Sequence, residues 1–298
     1  MFEVARILFL YVETPLHAGT GSGLGAVDLP VQRERITGYP LVQASSLKGV
    51  LRAEARGDPA KIEAVFGPDT GGAHKHGGAF SSGDARLLLF PVRSLLGIFA
   101  WTTSAHALNR FVRDAEVAGL TPGWDVPEPD RDMALVSPGS DLVADERLVL
   151  EEFAFTAQED GRVKTIANWL AKNALPGGNA YAYWQAKLPR SLVILPEDDF
   201  CEFTRFGTEV VTRVQLDSKT KTVAEGPWVE ENLPTDTLLY VPLYATKPRT
   251  PSNNHGLTDA GAVLDFVQDQ GLKRIQLGGN ETIGRGIVAL HWAKGGQQ

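Results

Sequence analysis

A single cysteine, Cys201, stands among the 298 residues, so the chain can form neither an internal disulfide nor a multi-cysteine zinc site, a usage that suits a reducing cytoplasm. Long apolar runs are missing too. The stretch after Met1 is interrupted by Glu13 and Pro15, no small-residue cleavage site follows it, and no segment reaches the length that crosses a bilayer. The protein is expected to be soluble and cytoplasmic, without a membrane role. Positive charge is the third shortage: the formal net charge is −7, whereas a protein that holds nucleic acid by long-range charge alone is normally basic. Any nucleic-acid site must then be a local patch, or sit in an assembly where other subunits contribute. No basic recognition helix is evident, which argues against reading of DNA through the major groove. Fixed-period repeats and sharp changes of composition are also absent, so residues 1–298 read as one domain with enough apolar residues for a substantial core.

What the chain does have is a pair of glycine-bearing motifs far apart in sequence. His17-Ala18-Gly19-Thr20-Gly21-Ser22-Gly23 leads through Asp28 to Ser45-Ser46-Leu47-Lys48-Gly49, and Gly278-Gly279-Asn280-Glu281-Thr282-Ile283-Gly284-Arg285-Gly286 lies near the other end. Gly21 to Ala26 approaches a dinucleotide fingerprint, but that fingerprint must open a helix, and Leu29-Pro30 opposes one. Gly279 to Gly284 has P-loop spacing, yet Arg285-Gly286 replaces the Lys-Ser or Lys-Thr whose hydroxyl would hold the nucleotide's metal. NAD, FAD and ATP chemistry are thereby set aside. The remaining property is general: a backbone without Cβ can lie close against sugar and phosphate and aim N–H groups at it. Ser45 or Ser46 is expected to cap a helix running to about Arg56, with Lys48, Arg52 and Arg56 on one face and Lys48 near the helix N-terminus, where phosphate is favoured.

Residues 5–14 read as a buried strand, 87–92 as a second, and 148–157 and 191–195 as further strands. Ser104 is expected to cap a helix bearing Leu108, Phe111 and Val112, and Thr165 a short one bearing Ile166, Trp169 and Leu170. Residues 116–147, dense in Pro, Gly and Asp, read as a surface insertion. The alternation of Val210, Thr212, Val214 and Leu216 before the polar turn 217–221 predicts a hairpin with a basic tip over 208–231. Residues 258–270 read as a helix ended by Gly271, followed by strands at 275–277 and 287–292. Hairpins mixed with scattered helices give an α+β fold class.

Among candidate groups, Asp28 is either a turn-forming aspartate or a hard oxygen ligand for a divalent ion, Mg²⁺ or Mn²⁺, near a scissile phosphate. His17 could act as general acid or base, or be structural. Glu230 and Glu231 form an acidic pair expected to be solvated. His74-Lys75-His76, alternating in a glycine-rich run, is a weak metal site.

Taken as a set, His17-Ala18-Gly19 with Asp28, Arg33-Glu34-Arg35-Ile36-Thr37-Gly38-Tyr39-Pro40, Ser45-Ser46-Leu47-Lys48-Gly49 and Gly279-Asn280-Glu281-Thr282-Ile283-Gly284-Arg285-Gly286 resemble the RAMP superfamily of CRISPR proteins. Arg93-Ser94-Leu95-Leu96-Gly97, Thr103-Ser104 and Asp236-Thr237-Leu238-Leu239-Tyr240 add to the match, which is closest to the backbone subunit of the type III-B, or Cmr, effector complex. The resemblance implies a ferredoxin-like, RRM-related core with inserted finger and thumb-hairpin elements. It also implies copies stacked head to tail on guide RNA beside other subunits of the complex, and cleavage of target RNA at regular intervals by metal-dependent attack of the 2′-hydroxyl. Asp28 matches the family's key aspartate; His17 and Glu230 fall at further active-site positions. Lys48 and Arg285 match guide-backbone contacts, with Ser45, Ser46, Arg52, Gly279 and Asn280 as the neighbouring RNA-binding candidates. Asn232 stands where an aromatic is expected. Two other readings stay open: a non-catalytic RNA-binding scaffold in which Asp28 only shapes its loop, and a stand-alone guide-processing ribonuclease using His17 without metal.

Overall fold

Strand Val4–Val12 alternates so that Leu8, Leu10 and Val12 enter one core while Ile7, Phe9 and Tyr11 enter another. A computed structural model describes this chain over residues 2–23, 25–72, 74, 76–250 and 256–293. The first strand pairs antiparallel with Leu238–Ala245 on one side and Ile287–Trp292 on the other. Leu238–Ala245 pairs antiparallel with Ala85–Arg93, and Arg274–Gln276 closes the edge beyond Ile287–Trp292. Helices Ala44–Glu54 and Ala260–Gln268 cover the first face through Leu47, Leu51, Val263 and Leu264. Helices Ala105–Val117 and Gly161–Asn173 cover the second through Leu108, Phe111, Val163 and Ile166. Burial on both faces is why the central strands read as near-continuous apolar runs.

The sheet continues from Ala85–Arg93 through Phe99–Ser104, Leu192–Leu195, Met133–Val136, Phe153–Glu159, Arg147–Leu150 and Val143–Ala144. Its pairings are mixed, parallel between Leu192–Leu195 and Phe99–Ser104 and antiparallel between Leu192–Leu195 and Met133–Val136. The α+β expectation agrees with this large mixed sheet and its flanking helices. Among the described residues no helix is long and apolar enough to cross a membrane.

Several local expectations are corrected. The stretch 116–147 is not all surface: Met133–Val136 is an interior strand, with Ala134 and Val136 fully buried. Residues 148–157 fold back on themselves as two antiparallel strands, turning at Glu151 with φ 50°. Ser104 does cap its helix, accepting from the Ala107 N–H at 3.2 Å. The cap of Gly161–Asn173 is Asp160 rather than Thr165, whose hydroxyl bonds back to Gly161 O. Neither Ser45 nor Ser46 caps Ala44–Glu54. That helix begins after Gln43, and its Ala44 N–H donates to Asp84 Oδ1 at 2.8 Å, so a distant carboxylate takes the place a local hydroxyl would have filled.

Glu209–Leu216 and Val223–Asn232 form a separate two-stranded hairpin. At its tip Asp217 accepts from the Lys219 and Thr220 N–H groups, an Asx-type turn. Its base is stitched to the body by the reciprocal Leu16–Leu233 backbone bonds and by Leu29, which runs parallel to Glu230 along the outer edge.

Candidate active site and nucleic-acid interface

The candidate residues gather at the base of this hairpin because strand register sorts them. Arg213 stands directly opposite Trp228, Val211 opposite Glu230 and Glu209 opposite Asn232, so these six side chains share one face. Glu231, opposite Val210, belongs to the other. The two adjacent glutamates thus have different surroundings, and neither is solvated: Glu230 is 3% exposed and Glu231 5%.

Glu231 is a structural tie. Its carboxylate accepts from the Val31 N–H at 2.9 Å and the Thr208 hydroxyl at 2.8 Å, and pairs with the Arg33 guanidinium. Arg33 in turn donates to Gly38 O and Thr204 O.

Glu230 faces the C-terminal glycine loop. Its Oε2 accepts from Arg213 Nη1 at 2.9 Å and its Oε1 from Asn280 Nδ2 at 2.7 Å, while Asn280 Oδ1 accepts from the same Arg213 nitrogen at 2.7 Å. Burial works against its charge, but the bonds from Arg213 and Asn280 and the nearby His17 outweigh burial and hold the carboxyl below the usual glutamate range.

The glycine loop reaches this position by lying directly on His17. Gly279 N–H donates to His17 O at 3.0 Å. Gly278 has φ +76°, and a Cβ there would stand 2.1 Å from the same oxygen, so no other residue fits. The His17 ring is fixed by Nδ1, 2.7 Å from the Glu231 carbonyl oxygen. A carbonyl only accepts, so Nδ1 carries a proton and Nε2, lying over Gly19, is the nitrogen left to exchange one.

Asp28 is exposed on the outer edge, where its Oδ2 accepts from the Val229 N–H at 2.7 Å. The loop leading to it contains Leu24, which lies outside the described residues. No cluster of three or more His, Cys, Asp or Glu suited to a metal occurs among the described residues. The donor set therefore does not fit a dedicated protein cage. A divalent ion at this edge would have Asp28 as its one carboxylate ligand among the described residues and would draw its other ligands from substrate phosphate and water, as hard, hydrated Mg²⁺ can. His76 faces Glu63 at 3.4 Å, and Lys75 of the weak histidine motif lies outside the described residues.

The expected RNA-binding residues occupy two places. Asn280 and Arg285 belong to the site face, with Arg285 Nη1 3.7 Å from Glu209 Oε2. Ser45, Ser46, Lys48 and Arg52 ride on Ala44–Glu54, whose N-terminus is linked back by Gln32: it donates to Gly19 O and accepts from the Gln43 N–H. Ser45 is exposed. Lys48 does not reach toward the helix N-terminus; its ammonium donates to Phe80 O at 2.9 Å, and burial, with the Arg52 charge, pushes its pKa down. Arg52 is ion-paired with Asp69 at 2.7 Å. Arg213, Trp228, Gln32 and Asp84 were not legible as site residues. For Arg213 the available clue was the period-two alternation of Val210, Val214 and Leu216, which places it on the opposite face.

Asn232 is fully buried, and neither polar atom of its side chain has a partner among the described residues. Asn232→Leu, which removes a desolvated amide at similar volume, is expected to raise stability by roughly 1–2 kcal/mol, read as an upward shift in thermal midpoint. A lower midpoint would show that the amide is bonded in solution.

The family profile described as the RAMP superfamily matches residues 9–289. A Pyrococcus furiosus protein named CRISPR system Cmr endoribonuclease Cmr4 is 39% identical over 294 residues, covering 96% of this chain and 95% of its own. A crystal structure of oligomeric Cmr4 from Pyrococcus furiosus superposes with a TM-score of 0.73 at 33% identity, covering 97% of each chain. A cryo-EM structure of type III-B Cmr-beta bound to cognate target RNA gives 0.70 at 22% identity over 98% of each chain, a likeness of fold alone.

Proposed function

The chain belongs to the RAMP superfamily, and from that premise we propose that it is a backbone subunit of a type III-B CRISPR effector complex, binding guide RNA and cleaving the complementary target at regular intervals. The Pyrococcus relative is named an endoribonuclease. What carries the reading in this chain is the convergence of His17, Glu230 and the Asn280 loop at the base of a projecting hairpin, with Asp28 on the adjoining edge. In sheet order, Ile287–Trp292, Val4–Val12, Leu238–Ala245 and Ala85–Arg93, with helices Ala44–Glu54 and Ala260–Gln268 on one face, support a ferredoxin-like core. The hairpin is the thumb, and its exposed Val210, Val214, Leu216 and Val223 suit a wedge in the guide-target duplex. Copies stacked head to tail, with other subunits of the complex, would let modest cationic patches sum along one RNA despite the acidic total.

In this mechanism the target's 2′-oxygen attacks the adjacent phosphorus, the P–O5′ bond breaks, and a cyclic phosphate and a 5′-hydroxyl result. His17 Nε2 would take the 2′-hydroxyl proton, and the departing 5′-oxygen would take up a proton from His17 or from water. Asp28 would hold the divalent ion, Mg²⁺ or Mn²⁺, whose charge offsets that building on the phosphate. Ser45, Ser46, Gly279, Asn280 and Arg285 would line the guide, and Lys48 and Arg52 would join them only by giving up Phe80 O and Asp69. The expected result is that the assembled, guide-loaded complex with Mg²⁺ or Mn²⁺ cuts labelled target at even spacing, leaves cyclic phosphate ends and stops on chelation. The scaffold reading draws on the Asp28 bond to Val229, which by itself shapes the loop; tight target binding without cuts would favour it. Cutting of guide precursor that survives chelation would favour the stand-alone processing enzyme.

A further inference from the structure

Arg213 stands beside His17's neighbour Glu230 on the site face, bonded to Glu230 and Asn280 and 30% exposed. We propose that Arg213 is the cation that contacts the scissile phosphate, and that Glu230 and Asn280 are its positioning residues rather than proton-transfer groups. The inference rests on the nuclease reading above.

Both carboxylate oxygens of Glu230 are already occupied, Oε2 by Arg213 at 2.9 Å and Oε1 by Asn280 at 2.7 Å, in a side chain 3% exposed. A general base needs a lone pair within reach of the proton it takes; here each oxygen already holds a neighbour, and with the side chain this buried the remaining lone pairs are turned away from solvent and substrate. Arg213 shows the opposite pattern. Among the described residues both its hydrogen bonds leave from Nη1, to Glu230 and Asn280, while the guanidinium carries five donors in a planar fork. Its side chain is 30% exposed, and its Cζ stands 5.7 Å from the centroid of the Trp228 ring. One edge of the fork is therefore tied down, one face is packed on an aromatic, and the remaining donors are available. Trp228 immediately precedes Val229, whose N–H is bonded to Asp28, so the same strand segment carries the surface under Arg213 and the anchor of Asp28. A preorganised guanidinium aimed where anionic charge grows stabilises the transition state more than the ground state.

The test uses the complete guide-loaded complex under single-turnover conditions, comparing wild type, Asp28→Asn, Arg213→Ala, Arg213→Lys and Glu230→Gln. Arg213→Ala is expected to slow cleavage on the order of 10²–10³-fold, while guide loading and target affinity stay within about threefold. Arg213→Lys, which lacks the planar fork, is expected to recover only a small part of the rate, and Glu230→Gln to lose less than about tenfold. Added guanidinium ion should restore Arg213→Ala saturably and leave Asp28→Asn inactive, a response that a purely structural tie would not give. Wild-type rates in Arg213→Ala alongside a dead Asp28→Asn would overturn this inference alone. Loss of guide loading in both Arg213 variants would overturn it in favour of a structural tie, and a Glu230→Gln loss as large as that of Asp28→Asn would return Glu230 to proton transfer. A wild-type complex that does not cleave removes the nuclease reading, and this inference with it.

Discussion

Asp28→Asn is expected to reduce target RNA cleavage by the assembled complex by at least about 100-fold, while guide loading and target binding continue unchanged. The substitution is informative because of what it preserves. The present carboxylate uses Oδ2 to accept from the Val229 N–H at 2.7 Å, and an asparagine carbonyl can make the same bond. The edge pairing of Leu29 beside Glu230, and the loop leading into it, should therefore stay in place. What disappears is the negative charge on an exposed side chain. If Asp28 does no more than shape its loop, the neutral isostere should cleave at the wild-type rate. If it holds a divalent ion against the substrate phosphate, removing that charge weakens the hold on the ion and its electrostatic relief of several kcal/mol, a loss on the order of 10²–10³ in rate. The measurement is the single-turnover rate at saturating Mg²⁺ or Mn²⁺, with gel-shift assay of the same preparations as the control on binding. Equal rates would remove Asp28 from the chemistry and leave the scaffold reading standing.

How legible such a site is depends on the range of the interactions that build it. The glycine loops near His17 and Asn280 were visible because glycine marks close backbone approach, and Gly278 does lie against the His17 carbonyl. The core face of Val4–Val12 and the cap at Ser104 were equally visible, since both depend on residues a few positions apart. The misreadings share one cause. Ser45 and Ser46 look like local caps, but Asp84, forty residues away, takes the Ala44 N–H. Met133–Val136 is four apolar residues inside a stretch of turn formers, and only its neighbours at 153–159 and 192–195 make it an interior strand. Lys48 stands at the right helical position for a phosphate contact, yet Phe80 supplies a carbonyl that no local pattern encodes.

The acidic pair is the sharpest instance, and it carries the largest expected loss of stability. Two adjacent glutamates on a hairpin strand read as a solvated edge, but strand alternation turns them to opposite faces, both covered. Glu231→Ala is expected to destabilise the folded chain by about 3–5 kcal/mol, the range for breaking a buried ion pair by removing one partner. In a chain of this size that lowers the thermal midpoint by on the order of 10 °C. The loss is large because three donors are stranded together: the Arg33 guanidinium, the Val31 N–H and the Thr208 hydroxyl all converge on this one carboxylate. Glu231→Gln should fall between, since an amide oxygen can still accept from Val31 but cannot balance the Arg33 charge. Glu230→Ala should cost less, because Arg213 is partly exposed and can turn to water, whereas Arg33 is held by Gly38 and Thr204 carbonyls beside the missing charge. Thermal unfolding of the three variants followed by circular dichroism orders them directly. Glu231→Ala as stable as wild type would mean that the Arg33 side chain finds water or another acceptor, and that the hairpin base does not depend on this carboxylate to stay docked.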